Sequence, residues 1–165
     1  NTYSRLEDHY HIEAPGHYSG QGTLVYRQLE DEQGRSFPDF DQLSDMWDTA
    51  AEYITVYPNV LLGVHRDHAF AIVLLPQAPG HTIENIHLYY AQPDTDPDLR
   101  ARNTAQWKQV FEEDIFVVEG MQRGRHAAAF DGGRFSPAMA GPTHLFHSWV
   151  AERMIAHRTQ AQAAE

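Results

Sequence analysis

Four strand-like runs follow one another between residues 52 and 91 with very little chain between them, and that spacing limits the fold more than any other feature. They are Glu52-Tyr-Ile-Thr-Val-Tyr-Pro, Asn59-Val-Leu-Leu-Gly-Val-His-Arg, His68-Ala-Phe-Ala-Ile-Val-Leu-Leu-Pro and Thr82-Ile-Glu-Asn-Ile-His-Leu-Tyr-Tyr-Ala. Pro58, the Arg66-Asp67 pair and Pro76-Gln-Ala-Pro-Gly separate them. A parallel pair needs a crossover of a dozen or more residues, so these short connections predict antiparallel neighbours. In the third run both alternating sets, Ala69/Ala71/Val73/Leu75 and Phe70/Ile72/Leu74, are apolar. That pattern predicts cover on both faces of the strand. Upstream the signal is weaker. Residues 1–20 show no clear period, Thr23 to Leu29 has β character, and Glu30 to Asp48 reads as an acidic loop with a short helix near Phe40 to Trp47.

Helices follow the strands. Asp96 is a candidate N-cap with Pro97 at the first helical position, opening a segment of 3.6 period that reaches about Gly120. Thr143, after Gly141-Pro142, is a second candidate cap and places Leu145, Phe146, Trp149, Val150 and Met154 largely on one face. Phe130 to Thr143 is a turn-rich connection, and the Ala/Gln-rich tail after His157 is expected to fray. The expected class is α+β, an antiparallel sheet with a long helix laid over it, as one domain over residues 1–160 with a tail at 161–165.

Charge and composition exclude several functions. Lys plus Arg total 12 against 23 Asp plus Glu, a formal charge of -11, which phosphate backbones and anionic lipids would repel. Nucleic acid and membrane surfaces are therefore not expected partners. The longest apolar run, Ala69 to Leu75, is too short to span a bilayer, and no secretory signal opens the chain. With no cysteine, the chain has no disulfide, thiolate zinc site, cysteine nucleophile or iron–sulfur cluster of its own, and it suits a reducing cytoplasm. No Gly-x-Ser-x-Gly elbow or Gly-rich phosphate loop is present.

One carboxylate falls where the helical pattern is apolar. At about 100° per residue, Trp107, Val110, Val118 and Met121 share a side with Asp114, while Glu112 and Glu119 project opposite. A carboxylate facing a core needs a partner, because burying it alone costs several kcal/mol. An Arg or His from the sheet, a capped amide, a general acid/base role and a metal ion all meet that need. Among the 11 histidines, His9 and His11 share a face if their segment is extended, and His17 follows a Pro-Gly turn. His65 and His68 flank a tight turn, and His144 and His147 lie one helical turn apart. None of these pairs is a zincin motif.

Two segments carry a family resemblance: Glu112-Glu-Asp-Ile-Phe-Val-Val-Glu-Gly-Met-Gln-Arg-Gly, and Phe130-Asp-Gly-Gly-Arg-Phe-Ser-Pro. Glu52-Tyr-Ile-Thr-Val-Tyr-Pro-Asn-Val-Leu-Leu supports it more weakly. Together they resemble the catalytic domain of Rieske-type oxygenase α subunits, the group of ring-hydroxylating dioxygenases and of choline, betaine and carnitine oxygenases. The resemblance is clearest over residues 50–155, and the Glu-Gly-Met-Gln-Arg-Gly form leans toward the choline/carnitine branch. It implies a helix-grip fold of the START-like (SRPBCC) kind, a curved antiparallel sheet around a long helix with a cavity between them.

The same resemblance implies a site. In the family a helical Asp and two histidines hold mononuclear Fe(II), and the Asp maps onto Asp114. The histidine motif, Asp/Glu-x-Tyr-His-x4-His, begins residue for residue at Asp8-His9-Tyr10-His11. Its second histidine would be His17, six positions after His11 and one more than the family's interval. Asp8 would match the acidic link to a neighbouring subunit's Rieske domain. Glu119 and Gln122 are candidate outer partners of the site. Tyr53, Tyr57, Leu62, Phe70 and Leu88 are candidate pocket residues, with the inward sheet face undetermined. The [2Fe-2S] Rieske cluster needs cysteines this chain lacks, so a catalytic portion of a longer chain is expected, inactive by itself. Implied partners are a small aromatic or quaternary-amine substrate, O2, and a reductase or ferredoxin relaying NAD(P)H electrons, in an oligomer that is a trimer in many relatives. The competing readings are a helix-grip module that binds an apolar small molecule without chemistry, and a hydrolase or isomerase using Asp114 as base.

Overall fold

A computed structural model describes residues 5–163. Six strands form one sheet in chain order, each antiparallel to the next: β1 (His9–Ala14), β2 (Tyr18–Thr23), β3 (Ala51–Val56), β4 (Val60–Val64), β5 (His68–Ala78) and β6 (His81–Tyr90). Two helices follow, α1 (Pro97–Arg125) and α2 (Gly141–Ala163). The architecture is α+β, and the four runs between 52 and 91 are the four central-to-edge strands their spacing predicts. The opening segment, without a readable period, is the β1–β2 hairpin. The β character assigned to Thr23–Leu29 belongs instead to the strand ending at Thr23. The acidic loop carries a single 3-10 turn, Asp45–Asp48, inside the range expected for a short helix.

Register defines which side chains share a face, because directly paired residues project to the same side of a sheet. One row runs through all six strands: His11, Gln21, Tyr53, Gly63, Phe70 and Leu88. A parallel row on the same face contains Glu13, Ser19, Thr55, Leu61, Ile72 and Ile86. Gly63 is small for a reason. The ring of Phe70 lies across it, where any Cβ would overlap the ring carbons.

Both helices lie on that face. Trp107 and Phe111 of α1 contact Phe70, with ring centroids at 4.7 and 5.3 Å. α2 docks against β1 and β2, where Ser19 Oγ donates to the Pro142 carbonyl at 2.8 Å. Phe70 and Ile72 are buried in consequence, whereas Ala69, Ala71 and Val73 on the other face are half-buried and Leu75, Ile83 and Tyr89 are exposed. The two-sided cover expected for β5 is therefore one-sided among the described residues, because both helices follow the sheet in sequence and pack on the same side.

α1 opens as its sequence predicts. The Asp96 side chain accepts from the backbone amides of Asp98 and Leu99 at 2.8 and 3.4 Å, with Pro97 at the first helical position. Leu99 and Asn103 are buried, but beyond Phe111 every residue of the helix except Gly120 is exposed, Phe116 at 76% and Met121 at 66%. α2 begins at Gly141, two residues before the expected cap. A side chain at Gly141 would crowd His11 Nδ1 and Glu13 Oε1, so glycine lets the helix start against β1. The helix continues to Ala163 through the tail expected to fray, as its alanine-rich composition allows, and residues 164 and 165 lie outside the described residues.

Candidate functional site

His11 sits on the edge strand β1 with its side chain about one-third exposed (33%), its Nδ1 3.6 Å from Glu13 and against Gly141 at the start of α2. It lies on the helix-covered face in the same row as Tyr53, Phe70 and Leu88. His17 is exposed in the β1–β2 turn, where its amide bonds the Ala14 carbonyl at 3.0 Å and its carbonyl accepts from Tyr57 at 2.9 Å. Asp8 closes the turn before β1, accepting the Arg5 amide at 2.7 Å.

Asp114 is on α1 seven residues after Trp107, about 20° from it around the helix axis. It is thus on the side of the helix that Trp107 turns to the sheet, yet it is exposed. Its stripe neighbours Val110, Val118 and Met121 are exposed at 40, 63 and 66%. The expectation of a carboxylate facing a core is corrected here. Only the first half of α1 packs on β5, and the second half stands clear, so Asp114 needs no compensating cation. Glu119 lies 3.7 Å from Arg123 on the exposed helix surface, and the Gln122 side chain reaches the turn at Gly80. Among the described residues, no three His, Asp or Glu side chains are gathered closely enough to hold a metal ion.

The candidate pocket residues divide. Tyr53, Phe70 and Leu88 share the row beneath α1. Tyr57 packs on Phe146 and Trp149 of α2 and donates to Ser19 Oγ at 2.8 Å. Leu62 pairs with Ile54 and Ala71 and projects to the opposite face.

A buried polar cluster beside this row was not legible as a unit. His65, Asp67, His68 and Asn103 are each no more than 2% exposed. Asp67 Oδ1 accepts from Tyr26 Oη and from His68 Nδ1, both at 2.8 Å. His68 Nε2 accepts from Trp107 Nε1 at 2.8 Å, and Asn103 Nδ2 lies 3.4 Å from the same nitrogen. His65 stacks on His68 and meets Tyr53 Oη at 3.3 Å. Burial, reinforced by His68, pushes the His65 imidazole down to about 3, so it is neutral. Burial alone would raise the Asp67 carboxyl, but the hydrogen bonds from His68 and Tyr26 hold it below the usual range. Burial and the Asp67 charge push the Tyr26 phenol up. The sequence clue was the His-Arg-Asp-His turn, whose partners Tyr26, Tyr53, Asn103 and Trp107 come from distant parts of the chain.

A family model described as the catalytic domain of the ring-hydroxylating α subunit matches residues 5–156. Choline monooxygenase, chloroplastic, from Arabidopsis thaliana is 28% identical over 110 residues, 66% of this chain. The chain spans about a quarter (25%) of the length of that relative. No helix among the described residues is long and apolar enough to cross a membrane.

Proposed function

The chain belongs to the ring-hydroxylating oxygenase α-subunit catalytic-domain family, and from that premise we propose that it is the catalytic portion of a Rieske-type non-haem iron oxygenase. The parent enzyme uses O2 and electrons from NAD(P)H, delivered by a reductase or ferredoxin, to hydroxylate an aromatic or quaternary-amine substrate. The observation that carries this reading is the family match over nearly the whole chain, residues 5–156. The six-stranded antiparallel sheet with both helices on one face supports the helix-grip class. The Rieske cluster needs cysteine ligands, and this chain has none, so the chain by itself is inactive.

We assign His11, His17 and Asp114 as the Fe(II) ligands by resemblance. As placed, they do not fit a bound metal: His11 faces Glu13 and Gly141, His17 lies at an exposed turn, and Asp114 is exposed on α1. The chain's own contribution is the apolar wall between α1 and the sheet, built by Phe70, Leu88, Trp107 and Phe111, with Tyr53 as its polar edge. Aromatic faces of this kind suit a flat ring, and they also attract a quaternary ammonium by cation–π interaction. The similarity to a choline monooxygenase favours the second. Asp8 is the proposed link toward a neighbouring subunit's cluster, in a trimer, with the cytoplasm as compartment.

Anaerobic titration of the chain with Fe(II), followed by calorimetry, tests the assignment. The ligand assignment requires one site per chain, weakened at least about tenfold in His11→Ala and in Asp114→Ala. Unchanged affinity in both variants would overturn the ligand assignment. A folded chain that binds no iron but takes up an apolar ligand would favour the non-catalytic module.

A further inference from the structure

Hydrogen bonds between α1 and the sheet gather at one end of the helix, on His68 and Tyr90. Trp107 Nε1 donates to His68 Nε2 at 2.8 Å, Asn103 Nδ2 lies 3.4 Å from the same atom, and Tyr90 Oη donates to Asn103 Oδ1 at 3.3 Å. An indole N–H can only donate, so His68 Nε2 must be the unprotonated ring nitrogen and Nδ1 must carry the hydrogen. That hydrogen points at Asp67 Oδ1, 2.8 Å away. Asp67 is wholly buried and is held in turn by Tyr26. A carboxylate that fixes an imidazole tautomer from one side determines what the other nitrogen can accept.

We propose that Asp67 and His68 form a tautomer-fixing clasp that positions α1 on the sheet through Trp107. Asp67 is a positioning residue for the helix, acting through His68. The groups facing His68 come from every element around it. They are Asp67 and His65 on the β4–β5 turn, Tyr90 on β6, Tyr26 and Phe37 from the preceding loop, and Asn103 and Trp107 on α1, with Tyr53 of β3 reaching His65 behind them. Two cations stand at the margin: Arg66 faces Asp39 and Asp48, and Arg100 lies over the Tyr90 ring at 5.2 Å. Asp67 is the carboxylate in contact with His68, and the stacked His65 opposes a charge on it.

The consequence lies further along α1. Among the described residues Trp107 is the last of the helix with a hydrogen bond to the sheet, and Asp114 follows two turns later on the same side. The clasp therefore sets where that carboxylate stands, but it requires no metal, and its test is independent of the ligand assignment proposed above.

The chain has three tryptophans, Trp47, Trp107 and Trp149, so indole N–H resonances of the 15N-labelled chain give one reporter and two internal references. The Trp107 signal is expected downfield of those of Trp47 and Trp149, because its N–H is donated to an imidazole nitrogen at 2.8 Å. Asp67→Ala should abolish the downfield shift and lower amide protection over residues 103–114 by tenfold or more. Asp67→Asn, which keeps the Oδ1 acceptor, should restore both. A folded Asp67→Ala chain with an unmoved Trp107 signal would overturn the proposal. Should Asp67→Ala fail to fold, Trp107→Phe removes the donor, together with part of the ring that packs on Phe70 and Phe111. The same tenfold loss of helix protection, with the sheet unchanged, is then required, and unaltered protection overturns the proposal.

Discussion

The imidazoles of His65 and His68 stack across the β4–β5 turn with centroids 4.4 Å apart and planes 7° from parallel. At this distance, and no more than 1% exposed, His65 is held neutral by burial and by the neighbouring ring. Asp67 supplies the negative charge between them and contacts His68 alone, which leaves Nδ1 of His65 without a hydrogen-bond partner.

Acid should therefore unfold this chain earlier than its carboxylates alone would require. The folded His65 titrates near 3, below the ordinary 6.5, so between those values the unfolded chain takes up a proton that the folded chain refuses. Stability is complete above about pH 6.5 and falls as the pH drops, by about 3 kcal/mol at pH 4. Asp67, also depressed, adds its loss at lower pH as it is protonated. Urea unfolding midpoints measured from pH 7 to 4 should decline steeply between 6.5 and 5, and His65→Gln should flatten that decline. An identical slope in the variant would rule out His65 as the source.

How far the sequence speaks for itself differs between the halves of the chain. The strands from β3 to β6 were legible because turn residues punctuate long apolar runs. The β1–β2 hairpin was not, because its pattern is polar and its second strand contains Gly20 and Gly22, whose lack of side chains erases the alternation. Gly22 is nonetheless covered, by the ring of Tyr10 reaching across to Glu52 at 2.9 Å. The cap at Asp96 could be read because it is local. The exposure of Asp114 could not, since helical periodicity gives a direction around the axis and says nothing of how far the sheet extends beneath it. His11 and Asp114 were singled out separately, and register places the first on the face that α1 overlies. Leu62 and Phe70 were grouped as pocket residues, but a two-residue period sends them to opposite faces once the register is fixed.

Docking of α2 depends on one small buried hydroxyl. Ser19, 3% exposed, donates to the Pro142 carbonyl and accepts from Tyr57 Oη, each at 2.8 Å. Ser19→Ala would leave a buried carbonyl and a buried phenol hydroxyl without partners, for a loss of roughly 1–3 kcal/mol. Chemical denaturation would measure the loss, and hydrogen exchange should locate it in the first turns of α2. A loss below about 0.5 kcal/mol would mean that water replaces the hydroxyl and that the aromatic contacts of Tyr57 with Phe146 and Trp149 hold the helix by themselves.

The start of α1 rests on Asp96, which caps two amides and also meets Arg35 at 2.9 Å. Asp96→Ala removes the cap, and the expected cost is about 0.5–2 kcal/mol, with the exposed Arg35 pair adding little. Asp96→Asn keeps the acceptor oxygen and should recover most of it. Amide exchange at residues 98–101 distinguishes the contributions: cap loss speeds exchange in Asp96→Ala alone, whereas a purely ionic role would affect both variants equally.

Phe70 is the residue on which α1 and the sheet meet, and its ring is seated over Gly63. Gly63→Ala would place a methyl inside that ring's volume, and the ring can escape only toward Trp107 and Phe111, themselves stacked at 5.5 Å. The strained core should lose about 1–3 kcal/mol, as overpacked cores do. The cost depends on the ring, so it should shrink when Phe70 is already leucine, and a double-mutant cycle between Gly63→Ala and Phe70→Leu should show coupling above about 0.5 kcal/mol. Strict additivity would mean that the glycine is required for the conformation of β4 and not for the seat of Phe70. The same variants bear on the proposed substrate wall. A ring displaced toward α1 narrows the apolar wall proposed to receive substrate, so uptake of a bulky aromatic ligand should weaken in Gly63→Ala more than in Phe70→Leu.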